Sequence, residues 1–419
     1  MLSGERTFSP TSGCRNIEDI RQDFPLLMNT DYAYLDNAAT SQKPTAVLEA
    51  VREFYEKKNA NPFRGLYPLS EEATEAYEDA RKLVKEFIHA KSTEEIIFTR
   101  NASESLNLVA YSLGSILFQP GDEIVVSIAE HHSNMLPWRQ AAERAGATVV
   151  YLECSEDGEF PEEMLRSVLT DRTKLVAITQ VSNVFGRKND IKRFAEVCHE
   201  KGIVIVADGA QSVPHMAVDV QDLDVDFLAF SGHKMLAPDR IGVLYGKKKW
   251  LKKMPPFLSG GEMIESVTRD RVTYAELPHK FEAGTVNAGG AVGLGAAIRY
   301  MQDLGFDWIE EREQALTALA YSKMKTIPGI RVFGSEDPAD HHGILTFTVD
   351  GVHPHDVSEI LSAFKIAVRA GHHCAQPLMQ HLKVGSTTRI SLAFYNTEEE
   401  VLRFTEALAQ VRWVMGYGQ

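Results

Sequence analysis

The chain has little of what several protein classes require. Only four of its 419 residues are cysteines. Cys14, Cys154, Cys198 and Cys374 lie far apart with no CxxC spacing, which excludes a dense disulfide framework and fits a reducing, cytoplasmic setting. No apolar run approaches the ~20 residues of a membrane span. The first nineteen residues lack the apolar stretch of a secretory leader. A net charge of -14 argues against nucleic acid, because phosphate binding needs clustered Lys and Arg. The single basic cluster, Lys247-Lys248-Lys249 with Lys252-Lys253, reads as a solvated face.

What is present is globular: 44% hydrophobic and 24% charged residues. The length favours two packed domains. From about Ala46, helical patterns alternate with short β-branched runs. Ala73 to Ile88 reads as an amphipathic helix and 95–98 as a strand, and Asn101-Ala102-Ser103-Glu104-Ser105 opens another helix. The runs at 123–127, 148–152, 175–179, 203–207, 227–230 and 242–245 read as strands. Several are apolar throughout, as expected of strands buried on both faces of a mostly parallel sheet. The expected fold is α/β, with a doubly wound, mostly parallel central sheet in a large domain and a smaller α+β domain. The division expected is a large domain at 25–290 and a smaller one from 1–24 and 291–419. A long helical stretch, Ala291 to Tyr321, leads into the latter, followed by strands near 330–332 and 343–349.

In such sheets ligands bind beyond the carboxyl ends of the strands. The residues there are polar: Glu130-His131-His132-Ser133-Asn134, Gln180-Val181-Ser182-Asn183, Asp208-Gly209-Ala210-Gln211 and Ser231-Gly232-His233-Lys234. Together they supply an acid, an amine, an imidazole and hydroxyls. That set suits pyridoxal 5'-phosphate, which needs a lysine for its Schiff base and a carboxylate against its ring nitrogen. Its phosphate needs hydroxyls and a helix N-terminus. Further along, Arg369-Ala370-Gly371-His372-His373-Cys374 sets a lone thiol among titratable residues after a glycine turn, where a thiol can ionise. Nucleophile, metal ligand and inert loop thiol are the three readings open to it.

Asp208-Gly209-Ala210-Gln211, Ser231-Gly232-His233-Lys234, Phe281-Glu282-Ala283-Gly284-Thr285 and the Cys374 run resemble the motifs of SufS-type cysteine desulfurases. Tyr34-Leu35-Asp36-Asn37-Ala38-Ala39-Thr40 and Tyr395-Asn396-Thr397 extend the likeness, which runs from about Ile17 to the C-terminal region. These are fold-type I pyridoxal-phosphate enzymes of the class V aminotransferase family, related to selenocysteine lyases.

The resemblance implies a homodimer that converts L-cysteine to L-alanine through a persulfide on Cys374 and passes the sulfur on for iron-sulfur cluster assembly. By position, Lys234 would carry the cofactor, Asp208 would pair with its ring nitrogen and His131 would stack on the ring. Asn183 and Gln211 would contact its phenolic oxygen. Ser103, Ser231 and His233 would bind the phosphate, joined by Thr285 from a second copy. Asn37, Ala38, Arg369 and Arg389 would hold the substrate. A dedicated acceptor, such as the zinc-bearing SufU type, would receive sulfur with His355 at the contact.

The chain departs from the family at Phe63-Arg64-Gly65-Leu66-Tyr67, where His-Arg-Gly-Ile-His is usual, and at Arg240, where glycine is usual. Val286 stands where proline is usual. A selenocysteine lyase, or another lyase of this family, is the alternative activity. A metal site at His372, His373 and Cys374 is the reading of another class.

Overall fold

A computed structural model of the chain describes residues 16–417. Cys14 and most of the 1–24 segment lie outside the described residues. After a short strand β1 (Ala33–Tyr34), seven strands form the central sheet. They are β2 (Ile96–Thr99), β3 (Glu123–Ser127), β4 (Thr148–Leu152), β5 (Thr173–Thr179), β6 (Val204–Asp208), β7 (Phe227–Ser231) and β8 (Gly242–Gly246). Their spatial order is β2-β8-β7-β6-β5-β3-β4. All adjacent pairs are parallel except the two made by β8.

Successive residues of each strand enter different cores, which is why these strands read as unbroken apolar runs. Val125, Val176, Ile178, Ile205, Leu228 and Val243 pack on one face. Ile124, Val126, Leu175, Ala177, Val204, Phe227 and Leu244 pack on the other. Helices cover both faces, so the inner strands are buried on both sides, while the edge strand β4 is partly exposed.

A hairpin, β9 (Ile264–Val267) with β10 (Val272–Tyr274), projects outside this sheet. The C-terminal region adds β11 (Ile330–Phe333), β12 (Ile344–Val349), β13 (Ile366–Ala367), β14 (Arg369–Gly371) and β15 (Thr387–Ser391). Four of these form a sheet in the order β11-β12-β15-β14, and β13 pairs in parallel with β1. This sheet packs on its own core around Leu316, Phe347, Leu361, Ile390 and Phe404.

Three local outcomes differ from the sequence pattern. The helical stretch 291–321 is two helices, Ala288–Leu304 and Phe306–Lys325, broken at Gly305, whose φ of +83° no other residue adopts readily. The helix expected at 73–88 starts earlier, at Pro68, a residue suited to a first helical turn. At the two expected domain boundaries the chain crosses over. Helix Ala288–Leu304 packs on helices Thr45–Lys57 and Pro68–Phe87, while β1 joins the C-terminal elements.

Candidate active site

The carboxyl ends of β5, β6 and β7 meet the N-terminus of helix Ala102–Ser112 and the chain around Cys374. They enclose a cavity of about 300 Å³. Ala38, Ser103, His131, Asn183, Asp208, Gln211, Ser231, His233, Lys234, Arg369, Cys374 and Arg389 all line it. The topology produces this gathering, because parallel strands deliver their polar ends to one rim.

Asp208 ends β6 with its side chain fully buried and one carboxylate oxygen accepting from the Ala210 N–H at 2.9 Å. Burial pushes its carboxyl upward. Lys234 follows β7 in a short turn. Burial pulls its ammonium down to about 8, against the attraction of Asp208 and with the help of Arg389. His131 is neutral: burial, then the Lys234 charge, lowers it to about 3. Its Nδ1 accepts from the Ser133 N–H at 3.1 Å, which leaves Nε2 free for a proton or a ligand.

At the other end of the cavity, Asn101 caps helix Ala102–Ser112 by accepting from the Glu104 N–H at 2.9 Å. The Ser231 hydroxyl accepts from the Ala102 N–H at 2.9 Å, and the Ser103 and Ser133 hydroxyls are 2.6 Å apart. Helix N–H groups beside hydroxyls make an anion cradle. Its shape depends on Gly242, where an added Cβ would fall 2.5 Å from the Asn101 Cα.

On the opposite wall the backbone fixes Cys374. Asn183 Nδ2 donates to the His373 carbonyl at 2.7 Å, and the His132 N–H donates to the Cys374 carbonyl at 2.7 Å. His373 and Cys374 both have positive φ, 51° and 56°. The thiol remains exposed, unlike the buried Cys154 and Cys198, whose thiols burial pushes up to about 12. His373 is buried and neutral, lowered to about 2 by burial and the nearby arginines. Among the described residues no group of three or more His, Cys, Asp or Glu is arranged to hold a metal ion, so the cluster at His372, His373 and Cys374 has no metal geometry.

Two expected site residues do not line this cavity. Asn37 turns inward: its Nδ2 donates to the Ser391 carbonyl at 2.8 Å and to Asn396 Oδ1 at 3.0 Å, while Tyr395 donates to its oxygen. Thr285 is exposed on the chain's outer surface. His355 is also exposed, its ring centroid 4.9 Å from that of His353. The departures are accommodated locally. Phe63 packs edge-on against Tyr77 and His279, and the exposed Arg240 offers its carbonyl to Asn287.

Sequence reasoning passed over three carboxylates near the site. Glu130 is fully buried and accepts from Ser127, Asn134 and the Thr179 N–H. Asp36 pairs with Arg369, and Glu282 pairs with Arg81. Each stands inside a motif already singled out; the arginines of Asp36 and Glu282 lie far away in the chain, while Glu130 combines two local partners with the distant Thr179 N–H.

Three buried polar atoms around the cavity have no partner among the described residues: Gln211 Oε1, Arg389 Nε and His373 Nδ1. Buried groups of this kind need a hydrogen bond from somewhere, and here a polar ligand can supply it. With the anion cradle at one end and Lys234 beside Asp208 at the other, the donor set fits pyridoxal phosphate.

The class-V aminotransferase family matches residues 33–404. A probable cysteine desulfurase of Halalkalibacterium halodurans is 48% identical over 406 residues, 96% of this chain and 99% of that one. One of Staphylococcus epidermidis is 47% identical over 407 residues, 96% and 98% respectively. Among solved structures, the apo cysteine desulfurase of Thermococcus onnurineus superposes with a TM-score of 0.92 at 41% identity, covering 97% of this chain and 100% of that one. The cysteine desulfurase CsdA of Escherichia coli gives 0.89 at 39%, with 96% and 100% covered. The chain belongs to the class-V aminotransferase family.

Proposed function

We propose that the protein is a pyridoxal-phosphate-dependent cysteine desulfurase that takes the sulfur of L-cysteine onto Cys374. One observation carries this reading: an exposed thiol, a half-buried lysine, a buried aspartate, and a buried arginine with an unpartnered N–H all line a single cavity. When bound, pyridoxal phosphate supplies an electron sink for the carbon bearing the substrate amine.

The chain's own groups do the rest. Ser103, Ser231, His233 and the N-terminus of helix Ala102–Ser112 would hold the phosphate. Asp208 would face the ring nitrogen, Gln211 and Asn183 the phenolic oxygen, and His131 the ring. Arg389 is fixed by its Nη1 donating to the Asn183 carbonyl at 2.8 Å, which leaves Nε to take the substrate carboxylate. Lys234, held near 8, is roughly one-tenth unprotonated at pH 7, and that free amine accepts the substrate's α-proton at Nζ. The Cys374 thiolate then attacks the substrate sulfur. The carbon–sulfur bond breaks with its electron pair left on carbon, a sulfur–sulfur bond forms on Cys374, and the carbon takes a proton to leave as alanine.

An exposed Cys374 suits delivery of that sulfur to an acceptor protein, for iron-sulfur cluster assembly in the cytoplasm. A zinc-bearing acceptor of the SufU type would meet His355. In a homodimer, Thr285 would reach the phosphate site of the other copy. Alanine release from L-cysteine with a thiol reductant, run with and without candidate acceptors, tests the reading. No alanine from the pyridoxal-phosphate-loaded protein would overturn it.

A further inference from the structure

Arg369 and Arg389 stand directly opposite one another as paired residues of β14 and β15. Two like charges in that position destabilise a strand pair. Asp36 resolves the conflict. It reaches this sheet through its bridge to Ser391, and its carboxylate takes Arg369 at both ends, from Nε at 3.2 Å and from Nη2 at 3.0 Å. The same carboxylate lies 3.5 Å from Arg389 Nη2. Both arginines line the cavity, whereas Asp36 does not. The Arg369 fork is therefore drawn back onto Asp36. Arg389 keeps its unpartnered Nε.

The result is a site with two guanidinium groups and one fixed carboxylate behind them. One positive charge is left over, and one donor edge is open. We propose that Asp36 is a positioning residue that sets side-chain selectivity: it ties Arg369 back and cancels one guanidinium charge, so the cavity favours an amino acid with one carboxylate and an uncharged side chain over one with a second anionic group. The inference rests on the reading of Arg389 as the carboxylate clamp. Removing the Asp36 charge frees Arg369 to pair with a second anionic group, while the α-carboxylate keeps Arg389.

The test uses the loaded enzyme, alanine formation from L-cysteine, and L-aspartate as the probe with an anionic side chain. The quantity read is the inhibition constant of L-aspartate relative to the KM of L-cysteine. In Asp36→Asn this ratio falls by roughly 10- to 100-fold, the effect of one unit charge about 7–12 Å away at an effective dielectric near 20, and kcat changes less than the ratio does. Arg369→Gln moves the ratio the other way, because it removes the cation and keeps the carboxylate. The double variant Asp36→Asn/Arg369→Gln restores the charge count and returns the ratio toward wild type.

An active Asp36→Asn enzyme with an unchanged ratio overturns the proposal, as does a double variant that keeps the ratio of Asp36→Asn. Should Asp36→Asn not fold, Arg369→Gln alone decides: a ratio that stays put or falls refutes the charge argument. A wild-type enzyme that makes no alanine defeats the functional reading instead, so the two failures are distinguishable.

Discussion

Glu282 ties the rim of the sheet to the segment carrying Thr285, and its removal has a cost that can be worked from the contacts. Its carboxylate is 2% exposed and faces the fully buried guanidinium of Arg81. Oε1 accepts from Arg81 Nη1 at 2.7 Å and from the Phe98 N–H at 2.7 Å. Oε2 accepts from Arg81 Nη2 at 2.8 Å and from the Tyr77 hydroxyl at 2.9 Å. Each oxygen thus serves two donors. Glu282→Ala leaves the buried cation with the partly exposed Glu78 carboxylate and the Ile96 carbonyl, and strands the Phe98 N–H; breaking a buried pair in this way costs about 3–5 kcal/mol. Glu282→Gln is hardly milder, because its amide nitrogen must face one of the two donor pairs. By contrast, replacing both partners with apolar residues in Arg81→Met/Glu282→Leu removes the stranded charge and costs less than either single change. Urea titrations of the four proteins, followed by far-UV circular dichroism, measure the order. The reasoning is refuted if Glu282→Gln lies within about 1 kcal/mol of wild type, or if the double variant is no more stable than Glu282→Ala.

Four further predictions concern the cavity. Borohydride reduction fixes the cofactor to wild-type Lys234 and leaves Lys234→Ala unlabelled. Cys374→Ala keeps the fixed cofactor and loses alanine formation, so full activity of that variant removes the thiol from the mechanism. Gly242→Ala drives a Cβ into the Asn101 backbone and weakens cofactor retention on dialysis, while Val243→Ala, one residue on and inside the core, lowers stability without that selective loss. In the cofactor-free protein, His131 and His373 stay neutral when folded, near 3 and 2, but take up protons near 6.5 when unfolded. The unfolded chain then binds more protons, so stability falls as pH drops from 7 to 5. Glu130, raised by burial to about 8, and Asp208, also raised by burial, oppose this, while His233, lowered by burial to about 4, adds to it. A urea midpoint higher at pH 5 than at pH 7 contradicts the assignment.

What the sequence made legible follows from how parallel sheets are built. Strand-length apolar runs ending in polar residues can be read locally, and the topology sends those ends to one rim; hence Asp208, Lys234, Asn183 and His131 could be named together. The break at Gly305 was hidden because both helices keep an apolar face across it. The carboxylates were hidden for a different reason. Asp36 acts on a residue 333 positions away and Glu282 on one 201 positions away, so no spacing rule reaches them.

Residues 36 to 38 show the limit most sharply. Asp36 turns to Arg369, Asn37 to Tyr395 and Asn396, and the Ala38 carbonyl takes Gln211 Nε2 at 2.9 Å. Three neighbours in one motif thus serve an ion pair, a structural clamp and the cavity wall. A motif places this turn at the site, but which of the three side chains governs the substrate depends on β14 and β15, whose arginines come together only when the chain has folded. Substituting Asp36 should therefore shift selectivity, while Asn37→Ala, which empties the clamp behind it, should lower stability with little change in the aspartate-to-cysteine ratio. A selectivity shift in Asn37→Ala as large as that in Asp36→Asn would mean that the turn acts as one unit, and that the charge on Asp36 does not decide.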